Sequence, residues 1–410
     1  TLGRLSRLHW CEDTIVFACG MMAADSVALE RFLEVIVYGM NLLESDRTFL
    51  AARCLSEIAP YGPSTRDLTV LSDTVTAALI WRLSNRNEPN ALQRSRAATL
   101  LGQLASPVAM RQLAETACGK PRLDRLGEPD FDYSNVRMAA IIGLLRMSTS
   151  AQVDLLSTID VDLVTLLQRW QSQDVADLIT YLEHPNNDSI EGLAALALGD
   201  LTMQLRSIRP VEADIALQAL THAFLDRDLK PASQWATAYA LATIDLPTVK
   251  RTVIDPFLDQ EPTAPQTAQR HQQRKCLAYL IGLLRDQDAR SRDFVLQRCI
   301  RNTTDPTLAA VAIDALARLA DRRDKPLLEH LAAGSPNKGE LTHFKGWPPA
   351  DQLYVQRKAI DALANVGDAN SIALLRESRL DPSQWSPELE EALYRASEEI
   401  YWRLVQRQQI

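Results

Sequence analysis

The sequence predicts an all-α fold, a right-handed α-solenoid of about seven to eight stacked helix pairs. Three observations lead there. A phrase of small and aliphatic residues returns along nearly the whole chain, the apolar residues around it keep helical spacing, and no stretch shows the period-2 alternation bounded by hairpin turns that marks strands. The phrase reads Arg-Ala-Ala-Thr-Leu-Leu-Gly-Gln-Leu at Gly102, Met-Ala-Ala-Ile-Ile-Gly-Leu-Leu at Gly143 and Leu-Ala-Ala-Leu-Ala-Leu-Gly-Asp-Leu at Gly199. It recurs at Ala242, Gly282, Ala317 and Ala364, with a degenerate copy at Ser56.

Taking the small residue as marker, the steps are 46, 41, 56, 43, 40, 35 and 47 residues. Helical repeats of about 40–47 residues are the mark of HEAT- and armadillo-type arrays. In such arrays each unit touches only its neighbours and the core grows with the chain. Function is then expected on faces and loops rather than in a catalytic pocket.

The elements follow in order. Residues 1–60 differ from the rest: Trp10 to Met22, Val27 to Leu43 and Arg47 to Ile58 read as helices rich in large apolar residues. This block is expected to join the array to an upstream module. Residues 61–385 carry the repeats, each an outer helix, a turn and an inner helix with the phrase. In the Gly282 unit, Cys276, Leu277, Leu280, Ile281 and Leu284 form the core stripe of an inner helix over 272–285. Asp286–Asp288 makes a polar turn, 290–301 the next outer helix, and Asp305-Pro306 opens the following inner helix as cap and first-turn proline. The 56-residue step implies an extra turn or a longer outer helix near Val161–Leu182. After Ser386-Pro387 a Glu-rich helix, 386–410, is expected to cap the array.

Composition narrows the function classes. The 410 residues are 46% hydrophobic and 23% charged, ordinary for a soluble chain, and net charge is −8. Acidity argues against duplex nucleic acid as the partner, because that affinity comes largely from Lys and Arg on phosphates. Six cysteines without a CxxC pair read as reduced core residues of a cytoplasmic protein. The longest apolar run, Thr14 to Ala24, is far below the ~20 residues that span a bilayer, so no membrane is expected. The start at Thr1, already in amphipathic text, reads as a piece of a longer polypeptide.

Catalytic motifs are not found in the text. Gly119-Lys120 fails the phosphate-loop pattern at two positions, since Ala114 stands where the first Gly belongs and Pro121 where Ser or Thr belongs. The six histidines are isolated, with no i, i+4 pair and no Cys/His cluster. No catalytic residue, metal or cofactor is expected. The candidates are for partner binding. His343, Phe344, Lys345 and Trp347 form an aromatic–cation loop between prolines, the type of residue found at interface hot spots. The alternative is that Phe344 and Trp347 fold back into the groove between repeats. Phe131 and Tyr133 lie in an acidic–aromatic run within the irregular segment Gly119 to Ser134. Arg322 and Arg323 form a basic cluster interleaved with Asp321 and Asp324, read either as a solvated helix end or as a contact for an acidic ligand. Arg94, Arg96, Arg137, Arg274 and Arg357, near the starts of inner helices, are expected to bond turn carbonyls or a neighbouring Asp.

The N-terminal text carries a resemblance. His9-Trp10-Cys11-Glu12-Asp13-Thr14-Ile15 followed by a small-residue helix, then Leu42-Leu43-Glu44 to Arg53-Cys54-Leu55, resembles the bridge after the nucleotide-binding modules of prokaryotic NACHT-type STAND NTPases. The likeness covers residues 8–58; Cys11 and Asp13 depart from the pattern, and the nucleotide-binding motifs are missing. It implies a non-catalytic sensor portion that binds a protein ligand and controls an upstream NTPase domain of the same polypeptide, several members acting in antiphage defence. A HEAT-like enzyme or chaperone of the bilin-lyase type, or a plain assembly scaffold, are the other readings.

Overall fold

The computed structural model describes residues 9–23, 25–39, 44–58, 66–84, 91–118, 131–147, 161–184, 188–225, 229, 231–261, 267–334, 344–378 and 387–408. Among the described residues the chain is helical throughout and has no strand. It divides into two compact units, residues 1–174 and 175–410.

Unit 1 contains α1 (His9–Met21), α2 (Ser26–Glu34, running into a π-helical turn, Val35–Gly39), α3 (Glu44–Ile58), α4 (Arg66–Ser84), α5 (Ala91–Leu104), α6 (Pro107–Cys118), α7 (Phe131–Met147) and α8 (Val161–Gln171). The phrase helices α3, α5 and α7 pack successively on one another, and α4 and α6 pack against them. Small residues set how closely they approach. A methyl group built on Gly102 would stand 2.5 Å from the Gly143 Cα, so the backbones of α5 and α7 all but touch at that crossing.

Unit 2 contains α9 (Val175–Glu183), α10 (Asp188–Leu205), α11 (Pro210–Leu225), α12 (Pro231–Ala242), α13 (Leu246–Val249), α14 (Asp255–Gln260), α15 (Ala268–Leu284), α16 (Ala289–Asp293), α17 (Pro306–Leu319), α18 (Lys325–Ala332), α19 (Pro349–Val366), α20 (Ala369–Ser378) and α21 (Pro387–Gln408). Here α10, α12, α15, α17, α19 and α21 form the successive stack. Between the outer elements, Phe224, Phe257 and Phe294 make a row of rings with centroids 6.5 and 6.1 Å apart.

Several expectations are refined. The 272–285 helix starts earlier, at Ala268, where the Thr267 hydroxyl caps the Arg270 N–H. Asp305 caps α17 as expected, accepting from the Thr307 N–H with Pro306 in the first turn. The 290–301 outer helix is α only to Asp293 and then π-helical over Phe294–Arg301, which buries Leu296 and Ile300 beside Phe294, Val295 and Cys299. The text near Val161–Leu182 is two helices, α8 and α9, parted by a turn in which Gln173 takes φ 57°, and the division between units falls there. The residues that cross are Ala240 and Ala315 rather than Ala242 and Ala317. Gly199 faces Ala240 and Gly282 faces Ala315, where an added methyl would lie 2.8 and 2.7 Å from the nearest atom.

No helix among the described residues is long and apolar enough to cross a membrane. Expectations for 119–130 and 335–343, including His343, lie outside the described residues. The side chains of Phe131 and Tyr133 lie outside them too; only their place in the first turn of α7 is described.

Candidate interaction site

The turns that follow the stacked helices of unit 2 share one construction. Asp245 caps α13 through the Thr248 N–H and pairs with Arg206 from the turn before it. Lys250, five residues on, sits 3.7 Å from both Asp286 and Asp288 of the next turn and 3.1 Å from Asp255. Arg292 pairs with Asp324 and lies 3.4 Å from Asp321. Lys325 reaches Asp368 at 2.5 Å, and Asp368 in turn accepts the Asn370 and Ser371 N–H groups. Asp245, Asp286, Asp288, Asp321 and Asp368 thus each accept an N–H of their own turn and face a cation from the preceding repeat, whereas Asp324 takes Arg292 without capping its helix. Arg206 as a hydrogen-bond donor holds the Asp245 carboxyl at about 2. Burial pulls the Lys250 and Lys325 ammonium groups down, but their carboxylates outweigh it and raise both.

A buried charged cluster lies at the start of α15. Glu261 takes Arg270 at 3.1 Å and Arg274 at 2.5 Å. The Arg270 guanidinium stands 3.5 Å from the Phe257 ring centre and also donates to the Phe257 carbonyl. One residue beyond Arg270 and Arg274 respectively, His271 Nε2 reaches Asp305 Oδ2 at 2.6 Å and Lys275 Nζ reaches it at 3.0 Å. The Lys275 side chain is only 2% exposed. Burial pushes the Asp305 carboxyl up, yet His271 and Lys275 overcome this and hold it well below the usual carboxylate range. Each carboxylate takes two side-chain partners, so the cluster joins the end of α14 to α15 and α17.

The 344–347 loop is anchored at the turn before α17. Phe344 and Trp347 are buried with their rings 5.8 Å apart. Trp347 Nε1–H donates to the Thr304 carbonyl at 3.0 Å, one residue from Asp305, and Gln352 donates to the Trp347 carbonyl. Of the two readings for these rings, the structure places them inward; Lys345 stays exposed. Arg322 and Arg323 are exposed at the other end of α17, a helix of 14 residues or about 21 Å. Arg323 bonds Asp321, while Arg322 has no ion pair among the described residues. The loop and the arginine pair are therefore separate features.

Of the inner-helix arginines, Arg94 and Arg137 bond turn carbonyls as expected, while the other three have different partners. Arg94 donates to the Leu83 carbonyl, Arg137 to the Ala117 carbonyl and Arg274 to Glu261, whereas Arg96 and Arg357 lie against Phe49 and Tyr354. Sequence reading passed over Glu261, Arg270, His271, Lys275 and Asp305 as a set. The signal was present in Arg270/Arg274 and His271/Lys275, two i, i+4 pairs on one helix, but their acidic partners lie in other segments. Among the described residues no three His, Cys, Asp or Glu side chains group as a metal site. No protein-family model matches the chain, and no curated protein matches it significantly.

Proposed function

We propose that this chain is a non-catalytic, protein-binding sensor, a right-handed α-solenoid of about seven to eight HEAT-like pairs that serves a NACHT-like signal-transduction ATPase, as in antiphage defence. The observation that carries the scaffold part is the run of aspartate–cation links from turn to turn in unit 2. Such links fix the spacing of neighbouring repeats and leave one edge lined with turns, the kind of extended surface on which repeat proteins bind. The buried charged cluster supports a rigid scaffold, since both of its carboxylates are taken up in joining elements. The switching part rests on the resemblance of residues 8–58. It is supported by the exposed Phe17 and Met21, one turn apart on α1, and by the exposed Tyr38, apolar side chains of the sort that an adjoining module covers.

Two measurements test this. The reading frame upstream of Thr1 is expected to encode a nucleotide-binding module, and the extended polypeptide is expected to bind ATP where this chain alone does not. An upstream frame without such a module, or an extended protein that fails to bind ATP, refutes the switching role. Lys345→Glu together with Arg322→Glu is expected to weaken activation of the extended ATPase by its ligand at least tenfold while leaving helical content unchanged; unaltered activation removes both residues from the binding face.

A further inference from the structure

Two turns of unit 2, residues 285–292 after α15 and 320–325 after α17, lie side by side. The Gln287 side-chain amide donates to the Leu319 carbonyl at 3.4 Å, and Arg292 reaches across to Asp321 and Asp324. Their charges are separated by depth. Asp286 and Asp324 are buried, with side chains 4% and 1% exposed, and Asp288 and Asp321 are half-buried. Each of these acids is engaged: Asp286 by the Ser291 hydroxyl, Asp288 by the Arg290 N–H, Asp321 by Arg323 and Asp324 by Arg292. The arginines stand outside them, since Arg285, Arg290, Arg322 and Arg323 are all exposed.

The two turns hold six cations against four acids, so this edge is positive in a chain whose net charge is −8. Arg290 is taken by Asp259 and Arg323 by Asp321. Arg285 and Arg322, one on each turn, have no side-chain hydrogen bond or ion pair among the described residues. Elsewhere in the same row the cations are spent on the fold, as Arg206, Lys250, Arg292 and Lys325 each hold an aspartate of the next turn. A free guanidinium is a planar fork that takes a carboxylate through two parallel N–H bonds.

We propose that this paired-turn edge docks an acidic segment of a protein partner, whose carboxylates bond Arg285 and Arg322. The inference rests on the protein-binding reading above and names the chemistry of the partner. Stacked helices lie about 8–10 Å apart, and an extended peptide advances ~3.4 Å per residue. Acids two or three residues apart on an extended segment therefore meet both arginines. Duplex nucleic acid fits poorly, because two free arginines neutralise few phosphates and the acidic remainder of the chain repels a long polyanion.

The test measures fluorescence anisotropy of a fluorescein-labelled peptide of alternating Glu and Ser, titrated with the whole chain at physiological ionic strength without nucleotide. Saturable binding is expected, weakened at least fivefold by Arg322→Glu and by Arg285→Glu. Arg285→Gly is the variant that protects the fold: residue 285 has φ 53°, a conformation glycine adopts freely, so the charge is lost while the backbone is eased. It is expected to weaken binding at least threefold with unchanged helical content. Arg376→Glu, at an exposed arginine of α20, is expected to change the affinity less than twofold. Absence of saturable binding, equal weakening by Arg376→Glu, unaltered binding in Arg285→Gly, or an oligothymidylate of equal charge binding as tightly as the peptide overturns the proposal. The ATP-binding test of the extended polypeptide is independent of this one, so each reading can fail alone.

Discussion

Units 1 and 2 solve the same packing problem with different end chemistry. Both bring phrase helices together through small residues, Gly102 on Gly143 in one and Gly199 on Ala240 and Gly282 on Ala315 in the other. In unit 1 Arg94 donates to the Leu83 carbonyl and Arg137 to that of Ala117, Arg82 and Arg96 lie over the Phe49 ring, and Arg169 stands 3.8 Å from Asp174 across a single turn. The turn after α5 is Ala105-Ser106, with Ala105 at φ 51° and the Ser106 hydroxyl capping the Ala109 N–H. Unit 2 keeps the carbonyl links, as in Arg270 to Phe257 and Gln356 to Ala332, and adds the aspartate–cation chain. Small residues at the crossing serve the stack in both units, while the described turns of unit 2 also carry carboxylates that tie its repeats together and make those turns sensitive to acid.

That contrast can be broken at graded cost. The largest effect is expected from Asp305→Ala, which strands the buried Lys275 ammonium and uncaps α17; about 3–5 kcal/mol should be lost in urea unfolding of unit 2. Adding Lys275→Met should recover most of it, and a loss under ~1 kcal/mol in the single variant would mean the pair is solvated.

Gly102→Ala and Gly282→Ala come next, testing what the units share. A helical Gly→Ala change by itself gains roughly 0.5–1 kcal/mol. Here the new methyl meets backbone at 2.5 and 2.7 Å, which no side-chain rotation relieves. The overpacking cost of about 1–3 kcal/mol should win, lowering the urea midpoint in both cases. Gly346→Ala, with nothing within 4 Å, is the control that should leave the midpoint almost unchanged.

Trp347→Phe keeps the ring contact with Phe344 but removes the donor to Thr304, an expected loss of about 1 kcal/mol by the same measurement. A neutral result would detach the loop from the α17 turn.

The smallest effects distinguish the units most directly. Asp245 (about 2), Asp288, Asp321 and Asp368 are all held below their ordinary value of 3.8 in the folded chain. For carboxylates lowered in this way the stabilisation is present above 3.8 and is lost as pH falls from there through the folded values. Partly exposed rungs such as Asp245 with Arg206 contribute only about 0.2–1 kcal/mol each. Hydrogen exchange at pH 7 and pH 3, corrected for intrinsic rate, should show the turns at 245, 286, 321 and 368 losing protection while the Ala105-Ser106 turn holds. Equal loss in the two units would erase the distinction.

Much of this was legible beforehand, and the misses have a common cause. Asp305-Pro306 announces a cap because the N-cap carboxylate and first-turn proline act within four residues. The inner-helix arginines were readable as structural for a related reason, since a helix end always leaves carbonyls to be satisfied. Glu261 and Asp305 could not be paired with Arg270, Arg274, His271 and Lys275 from the text, because spacing along one helix says nothing about which acid a neighbouring segment offers. The inward turn of Phe344 and Trp347 was one of two readings, decided by the carbonyl of Thr304, a full repeat earlier in the chain.

The sequence by itself determined that the chain is helical, where its turns fall and which helices carry the small-residue phrase. Those properties depend on periodicity and capping, interactions that act within a turn or two of helix. Only the tertiary structure decided that Ala240 and Ala315 are the crossing residues, that the array parts near Gln173, and which carboxylate holds each cation. Those outcomes depend on the depth and register at which one helix settles on another, and on charges that become neighbours only once the repeats have stacked.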